Sequence, residues 1–369
     1  MKAKLGKTIW MYTLTLIVFG LVALFSASFG NVRVSQKIFY DQLVFSPFVL
    51  LVMYVVSRIH YRKFYDIAYI FYIINIFVLI FVLVSGKDVL GARRWINLGV
   101  FSFQPSEITK LSLILVLGRY FHHRRPKLKF TFLSKAQVIF RDLIVPFLLT
   151  IFLMFLIFQQ PDLGTALLLF GIFFVMLFIS GIEYKYLLTF VSLCLFVLPF
   201  GWSVLKDYQK GRLLVFMNPN IDPLGAGYTI IQSKIAVGSG QLLGKGWLSG
   251  TQNQLNFLPE RHTDFIFSVI GEEWGFVGAI LVVFCFFKLI MCGVSIVSQV
   301  KDNFGKQVAI GIITILTLQV VINIGMVIGL FPIVGLTLPL ISYGRSSFLV
   351  TGIMMGFLIN LSEIKNNSY

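Results

Sequence analysis

The chain has 369 residues, 57% of them hydrophobic and 12% charged, with 39 phenylalanines and a formal charge of +16. So large an apolar fraction, gathered into runs of about 20 residues, excludes a soluble globular protein and points to a polytopic membrane protein. The surplus Lys and Arg lie in short links between the runs, where cytoplasmic retention of basic residues accounts for them, so a nucleic-acid partner is set aside.

Apolar windows fall near 8–29, 40–57, 65–85, 106–121, 143–159, 164–181, 186–204, 264–288, 307–330 and 339–361. They predict an all-α integral membrane protein of about ten transmembrane helices, a single polytopic domain over 1–369. The first run follows Lys2, Lys4 and Lys7 but is longer than a signal h-region, so it reads as a retained helix. Those lysines, then Arg58, Arg62 and Lys63, then Arg119, Arg124, Arg125, Lys127, Lys129, Lys135 and Arg141, then Lys301 and Lys306, alternate consistently, which places both termini in the cytoplasm. Cys194, Cys285 and Cys292 lie in or at the end of apolar runs without a CxxC pair, so neither a disulfide framework nor a zinc site is indicated.

On the outward side, the first unusual segment is GARRWINLGVFSFQPSEITK, residues 91–110. Pro105 and Glu107 suit the first turn of helix four. Lys110, three residues after Glu107 on the same face, is costly there unless paired, so the two are expected to form an ion pair lining a polar cavity. QQPDLGTALLLF, residues 159–170, offers Asp162 as the N-cap of helix six.

A long extracytoplasmic loop of about 205–263 separates helices seven and eight. It carries Trp202, Tyr208, Phe216, Tyr228, Trp247 and Phe257 near or within it, which predicts short helices on the bundle or in the interface. Its stretch GAGYTIIQSKIAVGSGQLLGKGWLSG is one residue short of a phosphate loop and has Gly246 in place of Ser or Thr, which excludes a nucleotide loop. Lys234 and Lys245 there suit an anionic group such as a diphosphate.

FLPERHTDFIFSVIGEEWGFVG, residues 257–278, concentrates Glu260, Arg261, His262, Thr263 and Asp264 just before an apolar run. A helix beginning at or just before Asp264 puts Asp264, Ser268, Gly271, Gly275 and Gly278 on one face, and a small-residue stripe marks the face packed on neighbouring helices. Asp264 is thereby directed inward at the outer mouth of the bundle. A capping role for Thr263 or Asp264 is the plainer alternative, but an ionisable group in that position is a site hypothesis by default. Further on, Gln319 and Asn323 share a face of helix nine, and LTLPLISYGRSSFLV, residues 336–350, is a turn feeding helix ten. One outward carboxylate, several cations and apolar walls suit an amphiphilic anionic substrate whose tail stays in lipid.

The segments GARRWINLG, FQPSEITK, QPDLGTALL, GYTIIQSKIAVGSG, GKGWLSGTQ, FLPERHTDFIFSVIGEEWGFVG and SYGRSS, in this order, resemble the SEDS family (shape, elongation, division and sporulation proteins) over essentially the whole chain. The stretch ending in PERHTDF resembles the elongation branch rather than the division branch. The resemblance implies a membrane glycosyltransferase that polymerises lipid II into glycan strands at the outer face of the bacterial cytoplasmic membrane, in company with a class B penicillin-binding transpeptidase. It also implies that Asp264, the aspartate of HTDF, is the catalytic base. Glu107 and Lys110 would line the cavity, with Trp95 and Asp162 in its neighbourhood. The leaving diphosphate needs cations, supplied by Arg93, Arg94, Lys110, Lys234 or Arg261, or by a divalent metal, Mg or Mn, whose ligands the sequence does not name. Glu260, His262 and Lys245 complete the candidate set. The family turn is SYGGSS, and Arg345 stands where its second glycine would be. Either the turn differs or Arg345 adds a cation. Two rivals predict different things: a lipid-linked sugar flippase calls for polar residues through the membrane midplane, and a scaffold predicts that Asp264 is dispensable.

Overall fold

The computed structural model describes residues 2–29, 34–89, 92–97, 99, 102–122, 140–223 and 225–363. The basic stretch with Arg124, Arg125, Lys127, Lys129 and Lys135 lies outside them.

In chain order come α1 (Lys2–Ser28), α2 (Val34–Arg58) and α3 (Arg62–Ser85), then short strands β1 (Lys87–Val89), β2 (Ala92–Asn97) and β3 (Ser102–Phe103), then α4 (Pro105–His122). A π-turn, Phe140–Ile144, leads into α5 (Val145–Gln159), followed by α6 (Leu163–Ile179) and α7 (Tyr184–Val204). The segment read as a long loop holds α8 (Asp207–Met217), a 3-10 turn at Pro219–Ile221, α9 (Ala226–Ser239) and a single turn at Thr251–Gln254. Then follow α10 (Ile266–Gln299), α11 (Asn303–Val327) and α12 (Arg345–Glu363). Among the described residues eight helices are long and apolar enough to cross a membrane, and α6 is apolar but shorter. The 18-residue α4 carries Glu107, Lys110 and Arg119, which lowers its hydropathy, yet it is the most enclosed helix of its unit, with Leu113, Ile114, Val116 and Leu117 fully buried. These ten helices match the ten apolar windows. Outward residues such as Val44, Phe77, Val84 and Phe196 are exposed and apolar, as lipid-facing surface requires.

The strands were not anticipated. They form an antiparallel sheet in the order β1-β2-β3, with Lys87 opposite Trp95 and Asp88 opposite Arg93.

The contacts divide the chain into two compact units, one drawn from residues 1–58, 207–293 and 316–363, the other from 59–206 and 294–315. In the first, α12 packs on α1 and α2. Gly352 and Gly356 make that approach possible, because a Cβ at either would stand 2.5 Å from Val49 Cγ1 or 2.7 Å from the Met53 carbonyl oxygen. In the second, α4 packs on α3, α5 and α6.

Two expectations for α10 are corrected. The helix starts at Ile266 rather than at Asp264, and runs past 288 to Gln299. Lys288 does not end it, since its ammonium lies 5.2 Å from the Phe284 ring centre while its stem follows the apolar helix. The stripe from Asp264 to Gly278 is also not one continuous helical face, because Gly275 (φ 61°, ψ −155°) breaks the helix. The break is filled by the loop after α9. Lys245 N and Gly246 N donate to the Glu272 and Glu273 carbonyls (2.9 and 3.1 Å), and Phe276 N and Val277 N donate to the Gln241 and Leu242 carbonyls (2.9 and 3.1 Å). Irregular backbone at membrane depth persists only where protein satisfies it in this way. A Cβ at Gly275 would lie 2.4 Å from Gly244 N, so a side chain has no room there.

Candidate active site

The turn before α10 is irregular, with Glu260 at φ 52° and Phe265 N closing back on the Glu260 carbonyl at 3.3 Å. Three consecutive carbonyls of this turn are held by the segment around 323–343. Tyr343 N donates to His262 O (2.8 Å), Ser342 Oγ to Thr263 O (2.6 Å) and Asn323 Nδ2 to Asp264 O (2.9 Å). Ser342 Oγ in turn accepts from Leu338 N at 2.8 Å, and Asn323 Nδ2 also donates to Leu336 O at 2.7 Å. Gly335 (φ 73°) lies beside the Asp264 carboxylate, where a Cβ would come to 3.6 Å from Oδ2. The Asp264 side chain is half-buried on a fixed backbone.

Its neighbours in sequence do different work. Arg261 is buried, its Nε donating to Ala27 O of α1 at 2.9 Å and its Nη1 to Asn256 Oδ1, and burial holds its pKa below the ordinary value. Burial, with the charge of Arg261 alongside, pushes His262 down to about 4, so its imidazole is neutral at pH 7. Glu260 is exposed and accepts from Thr263 Oγ1 at 3.0 Å. Lys245 donates to Glu272 Oε1 (2.7 Å) and Thr251 Oγ1 (2.8 Å). The backbone amides of 244–246 that a phosphate would need are bonded to protein carbonyls. Lys234 is exposed and folds over Gly329, at the C-terminal end of α11.

The second unit holds the other candidates. Lys110 Nζ donates to Glu107 Oε2 at 2.6 Å, with Lys110 fully buried and Glu107 nearly so, which realises the ion pair expected from their i, i+3 spacing. Asp162 caps α6 through Thr165 N (3.1 Å) and also accepts from Thr165 Oγ1 (2.9 Å), Ser106 Oγ (3.2 Å) and Gln104 Nε2 (3.3 Å), tying the start of α4 to that of α6. On β2, Arg94 points opposite to Arg93 and Trp95, and donates to the carbonyls of Gln160 (2.7 Å) and Pro161. Asp162 and Arg94 thus share the task of fixing the α5–α6 turn, while Arg93 is exposed and Trp95 half-buried.

Sequence reasoning missed the buried pair Glu272 and Glu273. Glu272 Oε1 accepts from Lys245, Thr251 and Gln252 N, and Glu273 Oε1 from Ser26 Oγ. Two adjacent carboxylates six and seven residues after Ile266, inside an apolar run, were the available signal. It also noted Asn323 and the 336–350 turn without seeing that both grip the Asp264 turn. Among the described residues no group of three or more His, Cys, Asp or Glu side chains lies together as a metal site. The three cysteines are free thiols. Arg345 starts α12 with its guanidinium 3.2 Å from Asp41 of α2, which gives it a helix-tethering contact.

Fold and site together define a polytopic, all-helical membrane protein with a rigidly presented carboxylate at a helix entrance and a buried ion pair. The cell cycle protein model FTSW/RODA/SPOVE matches residues 7–367, and the chain belongs to that family, the SEDS proteins. It is 41% identical to the peptidoglycan glycosyltransferase MrdB of Escherichia coli K12 over 366 residues, covering 98% of this chain and 94% of that protein. Its fold is similar to that of the rod shape determining protein RodA of Thermus thermophilus (TM-score 0.69, 29% identity, 96% and 95% of the two chains). It is also similar to a chain from a peptidoglycan synthase complex whose structure describes coordination of polymerization and crosslinking (TM-score 0.79, 31% identity, 96% of each). The chain is a peptidoglycan glycosyltransferase of the RodA kind, serving cell elongation.

Proposed function

We propose that Asp264 is the general base of glycan polymerisation, with lipid II as substrate, at the outer face of the bacterial cytoplasmic membrane. The acceptor hydroxyl attacks the donor's anomeric carbon and its proton passes to the Asp264 carboxylate. The bond from that carbon to the diphosphate oxygen breaks, and its electron pair leaves with the polyprenyl diphosphate. The observation that carries this reading is the half-buried Asp264 carboxylate beside Gly335 on a turn whose carbonyls at His262, Thr263 and Asp264 are all held. A base fixed in this way loses little geometry to motion at the moment of proton transfer.

Glu107 and Lys110 are proposed to contact substrate on separate grounds. Among the described residues Glu107 is the one partner of the Lys110 ammonium, which has three donors, and burial makes a further anionic partner favourable. Arg93 and Lys234, each exposed within its own unit, are separately proposed as contacts to the diphosphate. Arg94 and Arg261 already donate to backbone carbonyls and Lys245 to the Glu272 and Thr251 side chains, which suits the three to fastening protein. Trp95, Asp162, Glu260 and His262 are proposed as neighbours that shape the substrate's surroundings. The likeness to a chain of a peptidoglycan synthase complex supports a crosslinking transpeptidase of class B penicillin-binding type as partner.

The test is polymerisation of lipid II by the purified chain with a divalent cation and its transpeptidase. Asp264→Asn should lower the rate by about 10²- to 10⁴-fold while the protein stays folded. Equal polymerisation by the variant would refute the assignment.

A further inference from the structure

We infer that Asn323 is a positioning residue for Asp264, acting through backbone rather than through substrate. This rests on the reading of Asp264 as base. Asn323 lies near the C-terminal end of α11 and is fully buried. Its amide nitrogen donates to two carbonyls from two different loops, Asp264 O at 2.9 Å and Leu336 O at 2.7 Å. Leu336 follows Gly335, the residue alongside the Asp264 carboxylate. One side chain therefore sets both the backbone that carries the carboxylate and the backbone that walls it.

The amide orientation is determined by these contacts. Both protons of Nδ2 have acceptors, and turning the group over would set Oδ1 against two carbonyl oxygens. An amide is the right group for this position, since it supplies two donors from one planar atom. A carboxylate would present acceptors to acceptors, and a hydroxyl has one proton for two carbonyls. Ser342 works in parallel one residue earlier, donating to Thr263 O at 2.6 Å while accepting from Leu338 N at 2.8 Å. The anchor differs, because Ser342 belongs to the loop it fastens, whereas Asn323 belongs to a transmembrane helix. The helix is thereby the reference against which the base is placed.

The experiment is steady-state polymerisation over a range of lipid II concentrations by the full chain with its transpeptidase and a divalent cation. Wild type, Asn323→Ala, Asn323→Gln, Ser342→Ala and Asp264→Asn are compared, with thermal unfolding of each. A displaced base lowers kcat, so Asn323→Ala should lose about 100-fold in kcat with KM within about threefold of wild type. Asn323→Gln, which keeps both donors on a longer stem, should recover about tenfold of that loss. Wild-type kcat in folded Asn323→Ala, or a loss confined to KM, overturns the inference. Should Asn323→Ala fail to fold, Ser342→Ala decides, with an expected loss of about tenfold in kcat and wild-type kcat as the overturning result. If Asp264→Asn polymerises like wild type, it is the base assignment that fails. If Asp264→Asn is inactive while Asn323→Ala keeps its kcat, the positioning role alone fails.

Discussion

Among the described residues each compact unit holds a lysine–glutamate pair with a buried carboxylate, and the two differ in their lysines and in how many bonds hold them: Lys110 is fully buried, whereas the Lys245 side chain keeps 27% of its exposure. Glu107 and Lys110 are three residues apart on α4 and have each other, with a single bond of 2.6 Å. Glu272 and Lys245 are joined across a break in α10. There the carboxylate's Oε1 takes three donors at 2.7–3.1 Å, while the ammonium divides itself between Glu272 and Thr251. A charged group surrounded by protein partners has little to offer a ligand and a good deal to offer the backbone. A charged group with capacity left over in a low-dielectric setting is poised to bind. The number of protein donors gathered on the carboxylate, three on Glu272 Oε1 against one on Glu107, therefore separates a fastener from a candidate contact, even though Glu272 Oε2 itself has no partner.

Double substitutions put this comparison at risk most directly. Removing either lysine strands a buried carboxylate, so Lys245→Met and Lys110→Met should each cost about 3–5 kcal/mol in unfolding measurements. Adding Glu272→Gln to the first should restore most of the stability and also the polymerisation, because only a fastening was lost. Adding Glu107→Gln to the second should restore stability and leave polymerisation low. If the Glu107→Gln, Lys110→Met double variant polymerises as wild type does, both pairs are fasteners and the substrate contact proposed for Lys110 is wrong.

The same contrast explains what was legible in the sequence. An i, i+3 pair announces itself, because helical geometry alone brings Glu107 to Lys110. So do an N-cap such as Asp162 and ten apolar windows, since each depends on neighbours a few residues away. Lys245 and Glu272 are joined by the folding back of a loop into a broken helix, and no local pattern encodes that. Gly275 read as one more small residue in a packing stripe, when its φ of 61° is what opens the helix to the loop. The Asp264 turn stood out through its composition, yet its clamps from Asn323 and Ser342 lie 59 and 79 residues away from their acceptors. Local chemistry pointed to the proposed base, whereas its support depends on tertiary structure.

A neutral group in the same region gives a weaker, pH-dependent effect. His262 is depressed to about 4 in the folded chain from an ordinary 6.5, by burial first and by Arg261 second. The unfolded chain therefore takes up the proton more readily. The stability contributed by neutral His262 is full above about pH 6.5 and is lost as pH falls through that value toward the folded pKa. Melting temperatures followed across this window should fall more steeply for wild type than for His262→Gln. Parallel curves would mean that the imidazole is not enclosed as described.

The smallest effect is expected at a third charged pair, and it tests the rule from the other side. Arg345 and Asp41 meet at 3.2 Å, but their side chains keep 23% and 27% of their exposure, so water already shares the charges. Arg345→Gly and Asp41→Asn should each cost no more than about 1 kcal/mol, and the loss should shrink as salt is raised. Removing both together should cost little more than removing one, because neither charge is stranded when its partner goes. A loss at Arg345 as large as that at Lys245, whose partner Glu272 is 1% exposed, would mean that partial exposure of the stranded carboxylate does not relieve it in this membrane protein. Burial of the stranded carboxylate would then not be what sets the cost of breaking a pair.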